Sequence, residues 1–209
     1  MAAPRPKKAT YQDVLDAPPH MVAEVIHGEL RLMTRPSGPH TAVASALGDL
    51  LVPFKRGRGG PGGWIILDEP ELHLGEHIVV PDLAGWRVER MPAVEQVAYF
   101  TLAPDWLCEV LSRSTEKADR FDKLPIYAAD GVKHVWLISP ALRTLEVFRL
   151  VDGKWLLLAI YRDDQRVRAE PFEASEIDLA MLWVDLATPP PRTSRASEGA
   201  ATYELTDEV

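Results

Sequence analysis

Apolar positions recur along this chain in two rhythms, and the switches between them outline a fold. Residues 23–26 and 29–33 are β-prone runs on either side of His27 and Gly28, a spacing that predicts a tight hairpin. Over 40–54, Val43, Ala46, Leu47, Leu50, Leu51 and Phe54 fall at helical spacing, and the glycine-rich stretch 57–63 ends the pattern. Strands are expected over 64–67 and 78–83, with Leu72 and Leu74 alternating in a shorter run between them. The run 105–111 is apolar around one interior acid and reads as a buried strand. A helix should follow over 116–129, opened by Ser112 to Thr115 and stopped by Gly131. Its core-facing stripe reads as Phe121, Leu124 and Ala128, which sets Asp119, Lys123 and Tyr127 on another face. Pro125 implies a late start or a bend. Residues 134–138, 145–150 and 155–161 complete the strands, the last two turning at Asp152 and Gly153. The core order is helix, three strands, helix, strand, then a meander. Its class is α/β, a mixed α+β sheet flanked by helices.

Composition narrows this picture without changing it. With 209 residues, 46% of them hydrophobic, the chain suits one domain, expected over 10–186. The segments 1–9 and 187–209 have the Pro, Ser, Ala and Thr content of disordered tails. No apolar run nears the ~20 residues of a membrane span, and the first residues lack a secretory signal, so a cytoplasmic protein with no membrane partner is expected. The single cysteine, Cys108, excludes an internal disulfide and a cysteine-rich zinc cluster. A net charge of −8 argues against a body coated for non-specific nucleic-acid binding but leaves room for a small basic site.

Three ionisable residues stand where the pattern predicts sheet or its immediate cover: Asp82, Glu109 and Lys123. A carboxylate in a low-dielectric setting costs several kcal/mol unless it meets a cation, strong hydrogen bonds or a proton. Two of them on neighbouring strands, with the Val110 backbone carbonyl, match the hard oxygen ligands that Mg²⁺ takes, and Mn²⁺ would substitute. A nearby lysine would orient or deprotonate the attacking water and offset phosphate charge, which points to phosphodiester hydrolysis. The competing reading makes both acids structural, held by backbone N–H groups or by Arg87, Arg113 or Arg120. Lys123 would then be a solvated helix residue. Lys55, Arg56 and Arg58 beside the glycines form either a solvated connection or a track for a nucleic-acid strand. Cys108 should point away from Glu109, across the sheet.

The element order, with Pro81 and Asp82 on the second strand and Glu109 on the third, resembles the PD-(D/E)XK nuclease superfamily. More narrowly, Glu109 to Ser112, Ser114 and Thr115, Asp122 and Lys123, Tyr127, Gly131 and Val132, and Trp136 and Leu137 resemble the Uma-type family of proposed restriction endonucleases, long catalogued as a domain of unknown function. The likeness spans roughly residues 10 to 185. It implies a restriction-endonuclease-like core and a Mg²⁺-dependent endonuclease, with Asp82, Glu109 and the Val110 carbonyl on the metal and Lys123 assisting the water. The superfamily pattern places its lysine where this chain has Leu111, so the resemblance implies a lysine migrated to the next helix. Glu24 and His40 match the group as well. Glu24 would support the metal; His40 would touch a phosphate or a neighbouring carboxylate, or else serve as a helix-start residue bonded to the backbone; and Tyr127 would orient Lys123 or simply pack its ring at the sheet edge. The implied partner is nucleic acid, DNA first, met by a homodimer. A catalytically inactive module for binding nucleic acid or protein is the alternative.

Overall fold

The computed structural model describes residues 8–183 apart from 36, 58 and 95. Arg58, the C-terminal stretch 187–209 and most of the N-terminal one lie outside the described residues. The elements follow the expected order. Helix α1 (Tyr11–Leu15), begun at Thr10 with Asp13 closing a capping box, precedes the hairpin β1 (Met21–Ile26) and β2 (Glu29–Thr34). His27 and Gly28 both take positive φ, 54° and 78°, the backbone a two-residue hairpin turn requires. Helix α2 (Gly38–Leu50) starts two residues before the expected position, with Pro39 in its first turn. It stops before Pro53, which sits in the 3₁₀ turn Val52–Phe54.

Strands β3 (Trp64–Asp68), β4 (Leu72–Leu74), β5 (His77–Val79), β6 (Leu83–Arg87) and β7 (Trp106–Val110) come next. The helical segment follows, then β8 (His134–Ser139), β9 (Thr144–Val151), β10 (Lys154–Arg162) and the small pair β11 (Arg166–Val167) and β12 (Ile177–Asp178). Six strands form the main sheet in the order β10-β9-β8-β7-β6-β3, and four form a second sheet, β2-β1-β5-β4. Among the strands of the described residues, only β7 and β8 pair in parallel, since the helical segment carries the chain back across the sheet between them.

Two expectations are corrected. The single strand expected over 78–83 is two strands in two sheets: β5 pairs with β1 and β4, β6 with β3 and β7. Val80, Pro81 and Asp82 form the passage between them, where a proline without an N–H interrupts any ladder. Asp82 therefore precedes the second strand of the core rather than lying within it.

The helix over 116–129 is three pieces: α3 (Glu116–Ala118), a π-helical turn (Asp119–Lys123) and α4 (Leu124–Ala129). Pro125 cannot donate to the Phe121 carbonyl four residues back, and the wider π turn at this point accommodates the missing bond. Of the stripe predicted to be buried, Phe121 is turned out, while Leu124 stays partly buried against the core and Ala128 is half-buried. Phe121 is 71% exposed, whereas Lys123 is 3% and Tyr127 0% exposed. The stripe Asp119, Lys123, Tyr127 faces inward because, as shown below, Lys123 meets acids from three other positions.

The core lies on both faces of the main sheet. Val43, Leu47, Leu51 and Phe54 cover one face together with Trp106, Trp136 and Phe172. Leu107, Leu137, Ile126, Tyr127 and Trp86 pack on the other. Trp64, Trp86, Trp106 and Trp136 are fully buried, so packing accounts for them.

Candidate active site

At the end of the main sheet where β3, β6 and β7 finish near Asp68, Leu83 and Val110, the second sheet and the π turn leave a cleft of about 230 Å³. Asp82, Glu109, Val110, Lys123, Asp119 and His40 all line it. They arrive from four separate parts of the chain. Asp82 comes from the passage between the sheets, Glu109 and Val110 from the C-terminal end of β7, and His40 from the first turn of α2. The π turn places Asp119 and Lys123 on one side by their four-residue spacing.

Lys123 is the hub. Its Nζ lies 2.9 Å from Glu24 Oε1, 3.3 Å from Glu109 Oε1 and 3.3 Å from Asp119 Oδ1. Glu24 Oε1 also accepts the Val80 N–H at 2.8 Å, which ties β1 to the start of the passage. The Tyr127 hydroxyl donates to Glu109 Oε1 at 2.5 Å. Glu24 and Tyr127 thus act on the groups lining the cleft without being part of its lining. Asp82 is held separately: its Oδ2 accepts the Val110 N–H at 2.7 Å and lies 3.3 Å from His40 Nε2.

Burial sets the electrostatics. It pushes the Glu109 carboxyl well above the usual carboxylate range. Lys123 opposes that shift, and the neighbouring carboxylates of Asp119, Asp82 and Glu24 reinforce it. Burial would lower Lys123, but Glu109, Glu24 and Asp119 outweigh it and keep the ammonium charged well past its ordinary value. Asp119 is raised by burial, against the pull of Lys123 and a hydrogen bond from Thr115. The Tyr127 phenol goes well up, first by burial and then by the charge of Glu109. Burial, the largest single influence, lowers His40, but Asp82, the Val110 backbone and Asp119 together outweigh it and the net is upward.

Two of the arginines that would have made these acids structural are engaged elsewhere. Arg87 lies over the Trp64 ring at 4.2 Å, and Arg120 grips Glu146 and Glu116. Four acids, Glu24, Asp82, Glu109 and Asp119, therefore share one lysine and one histidine. That surplus of buried negative charge suits a further cation. The donors fit a hard divalent ion: Asp82, Glu109 and the Val110 backbone border the same cleft, and Mg²⁺ uses one or two carboxylates and keeps several waters. Among the described residues, no group of three or more His, Cys, Asp and Glu is arranged to hold a metal.

Lys55 and Arg56 of the basic run are at the far end of the sheet. Lys55 bridges to Trp64 at the start of β3, whereas the cleft is at Asp68, about 13 Å along the strand at ~3.3 Å per residue. Asp119 is the buried cleft residue that pattern reading did not promote to the site. Its signal was the four-residue spacing to Lys123, on the face taken for solvent. Cys108 is buried on the opposite face from Glu109, as strand alternation requires.

The family model described as "Putative restriction endonuclease", Uma2, matches residues 9–181. The chain belongs to the Uma2 family. Among solved structures it is similar to a putative nuclease belonging to DUF820 from Anabaena variabilis ATCC 29413, with a TM-score of 0.67 and 23% identity over 84% of this chain and 97% of that one. That likeness shows a shared fold. No curated protein matches the chain. The mixed α+β architecture and the restriction-endonuclease-like core expected for this Uma2 chain are those observed. Among the described residues, no helix is long and apolar enough to cross a membrane.

Proposed function

We propose that this Uma2 protein is a divalent-metal-dependent endonuclease that hydrolyses phosphodiester bonds in nucleic acid, DNA first, in the cytoplasm. The observation that carries the reading is the convergence of Asp82, Glu109 and Lys123 on one cleft from three separate elements. Asp82, Glu109 and the Val110 carbonyl would hold the ion, Mg²⁺ or Mn²⁺ in its place. Such an ion supplies Lewis acidity and a water acidified enough to attack phosphorus. Lys123, held as an ammonium by its three carboxylates, offsets the charge that grows on the phosphate and keeps Glu109 turned toward the cleft. Tyr127 fixes the same Glu109 oxygen, and Glu24 anchors Lys123 from behind. In this geometry Lys123 orients rather than deprotonates.

The test is cleavage of plasmid, single-stranded DNA and RNA with Mn²⁺, run beside Glu109→Gln to expose contaminating nuclease. Cleavage lost in the variant and in chelator supports the reading and names the polymer. Folded, Mn²⁺-loaded wild type that cuts none of the three favours the second reading, a non-catalytic binding module. The observation behind that alternative is the seclusion of Lys123, 3% exposed and fully engaged by carboxylates. A homodimer belongs to the same proposal: β10 edges the main sheet and exposes Leu156, Leu157 and Ile160. Sedimentation would check it.

A further inference from the structure

His40 is buried, 8% exposed, yet only one of its ring nitrogens has a partner. Nε2 faces Asp82 Oδ2 at 3.3 Å, and Nδ1 is buried with none among the described residues. A buried imidazole usually satisfies both nitrogens, and the exceptions call for an explanation. The surroundings of Asp82 supply one. Asp82 sits on a passage between two sheets, outside any ladder, so no strand fixes its side chain. Its carboxylate is held at one oxygen only, by the Val110 N–H and by His40. The Val110 bond also belongs to the segment bearing Glu109, so it sets the spacing of the two acids but leaves the carboxylate free to swing about it. His40 is the one side chain among the described residues that meets Asp82, and it is rooted in the first turn of a thirteen-residue helix.

We infer that His40 is the positioning residue of Asp82: with the Val110 N–H it pins Oδ2 and thereby presents Oδ1 to a divalent ion in the cleft. This rests on the metal-dependent reading above and gives one of its residues a task that reading leaves open. Ligand carboxylates depend on such outer partners, and losing one typically weakens metal binding 10- to 100-fold. His40 acts through its Nε2 end, and Nδ1 is dispensable.

The two amide side chains separate these ends. Glutamine reaches about as far as Nε2, asparagine only about as far as Nδ1. Mn²⁺ affinity would be measured by calorimetry for wild type, His40→Ala, His40→Gln and His40→Asn, with thermal unfolding in EDTA to show that each is folded. The expected result is Mn²⁺ binding weakened about 10- to 100-fold in His40→Ala and His40→Asn and restored to within a few-fold in His40→Gln, with KM for the nucleic acid unchanged in the glutamine variant. If wild type binds Mn²⁺ and His40→Ala binds it equally well, the positioning role is overturned while the metal reading stands. Rescue by asparagine instead of glutamine also overturns it, since Nδ1 would then be the working atom. If folded wild type binds no Mn²⁺, both the metal reading and this inference fall. Should His40→Ala not fold, the glutamine and asparagine pair decides.

Discussion

The two faces of β7 differ more than any other two regions of the molecule. On one face Trp106, Cys108 and Val110 meet Val43, Leu47, Trp136 and Phe172 in a cluster of buried hydrophobic residues. On the other, Leu107 and Leu111 flank Glu109, which shares its burial with Lys123, Asp119 and Glu24. One stretch of backbone, 106–111, serves both. The apolar face is stabilised by removal from water and by close packing, which tolerate a change of side chain in proportion to the volume lost. The charged face is held against desolvation, so each member depends on the others and removal of one strands the rest. The apolar face is where stability resides, and the charged face is where a small chemical change should have the largest consequence.

Lys123→Ala presses hardest on this contrast. It leaves Glu24, Glu109 and Asp119 without their shared counter-charge, and breaking a buried pair in this way costs about 3–5 kcal/mol. The loss should be largest near neutral pH and shrink in acid, because protonation of the three carboxyls removes the repulsion. Urea unfolding at two pH values measures it, and a loss that does not change with pH would mean that the lysine acts by its methylenes alone. Turnover should also disappear while Mn²⁺ binding survives, since the ligand carboxylates remain.

Tyr127→Phe is a gentler version. It removes one hydrogen bond to Glu109 at constant volume, for about 1.5–3 kcal/mol when the acceptor is ionised. The sign with pH follows from Glu109 itself. A carboxyl raised on folding contributes stability that is complete below its unfolded value and lost as pH rises through its folded value, so metal-free wild type should weaken with rising pH above the ordinary carboxylate range. Without the tyrosine the ionised form is worse solvated, and the decline should steepen. A curve parallel to wild type would separate Tyr127 from Glu109.

The two faces were unequally legible in the sequence. Strand periodicity located β3, β7, β8 and β9 to within a residue or two, because alternation is a local signal, whereas β6 lay beyond the run expected for it. The hairpin turns at His27-Gly28 and Asp152-Gly153 were equally local, both demanding positive φ. Asp82, Glu109 and Lys123 stood out as charges in apolar runs, and the fold brings them together. The burial of Lys123 was not legible, since its partners lie at 24, 109 and 119 and only Asp119 is close in sequence. Reading the helix by hydrophobicity alone put Phe121 inside and Lys123 outside, the reverse of what is found. Pro81 marks the break, but which sheet each half joins depends on partners elsewhere in the chain, Val25 for Ile78 and Cys108 for Leu83. Position along the sheet likewise separates the basic run at Lys55 from the cleft, and that requires the register of β3 against β6.

Ile138→Val has the smallest expected effect and is the sharpest control. Ile138 is fully buried in the apolar cluster on β8 and pairs with Val110 in the parallel ladder, so it is one strand away from the proposed ligands. Losing one methylene there should cost about 0.5–1.5 kcal/mol through lost burial and a small cavity. Because no charge changes its neighbours, the unfolding curve should shift by the same amount at every pH. Mn²⁺ affinity and cleavage per folded molecule should match wild type. A change in either would mean that packing on the apolar face sets the spacing of Asp82 and Glu109 through Val110, and the two faces of β7 would then be one mechanical unit rather than two.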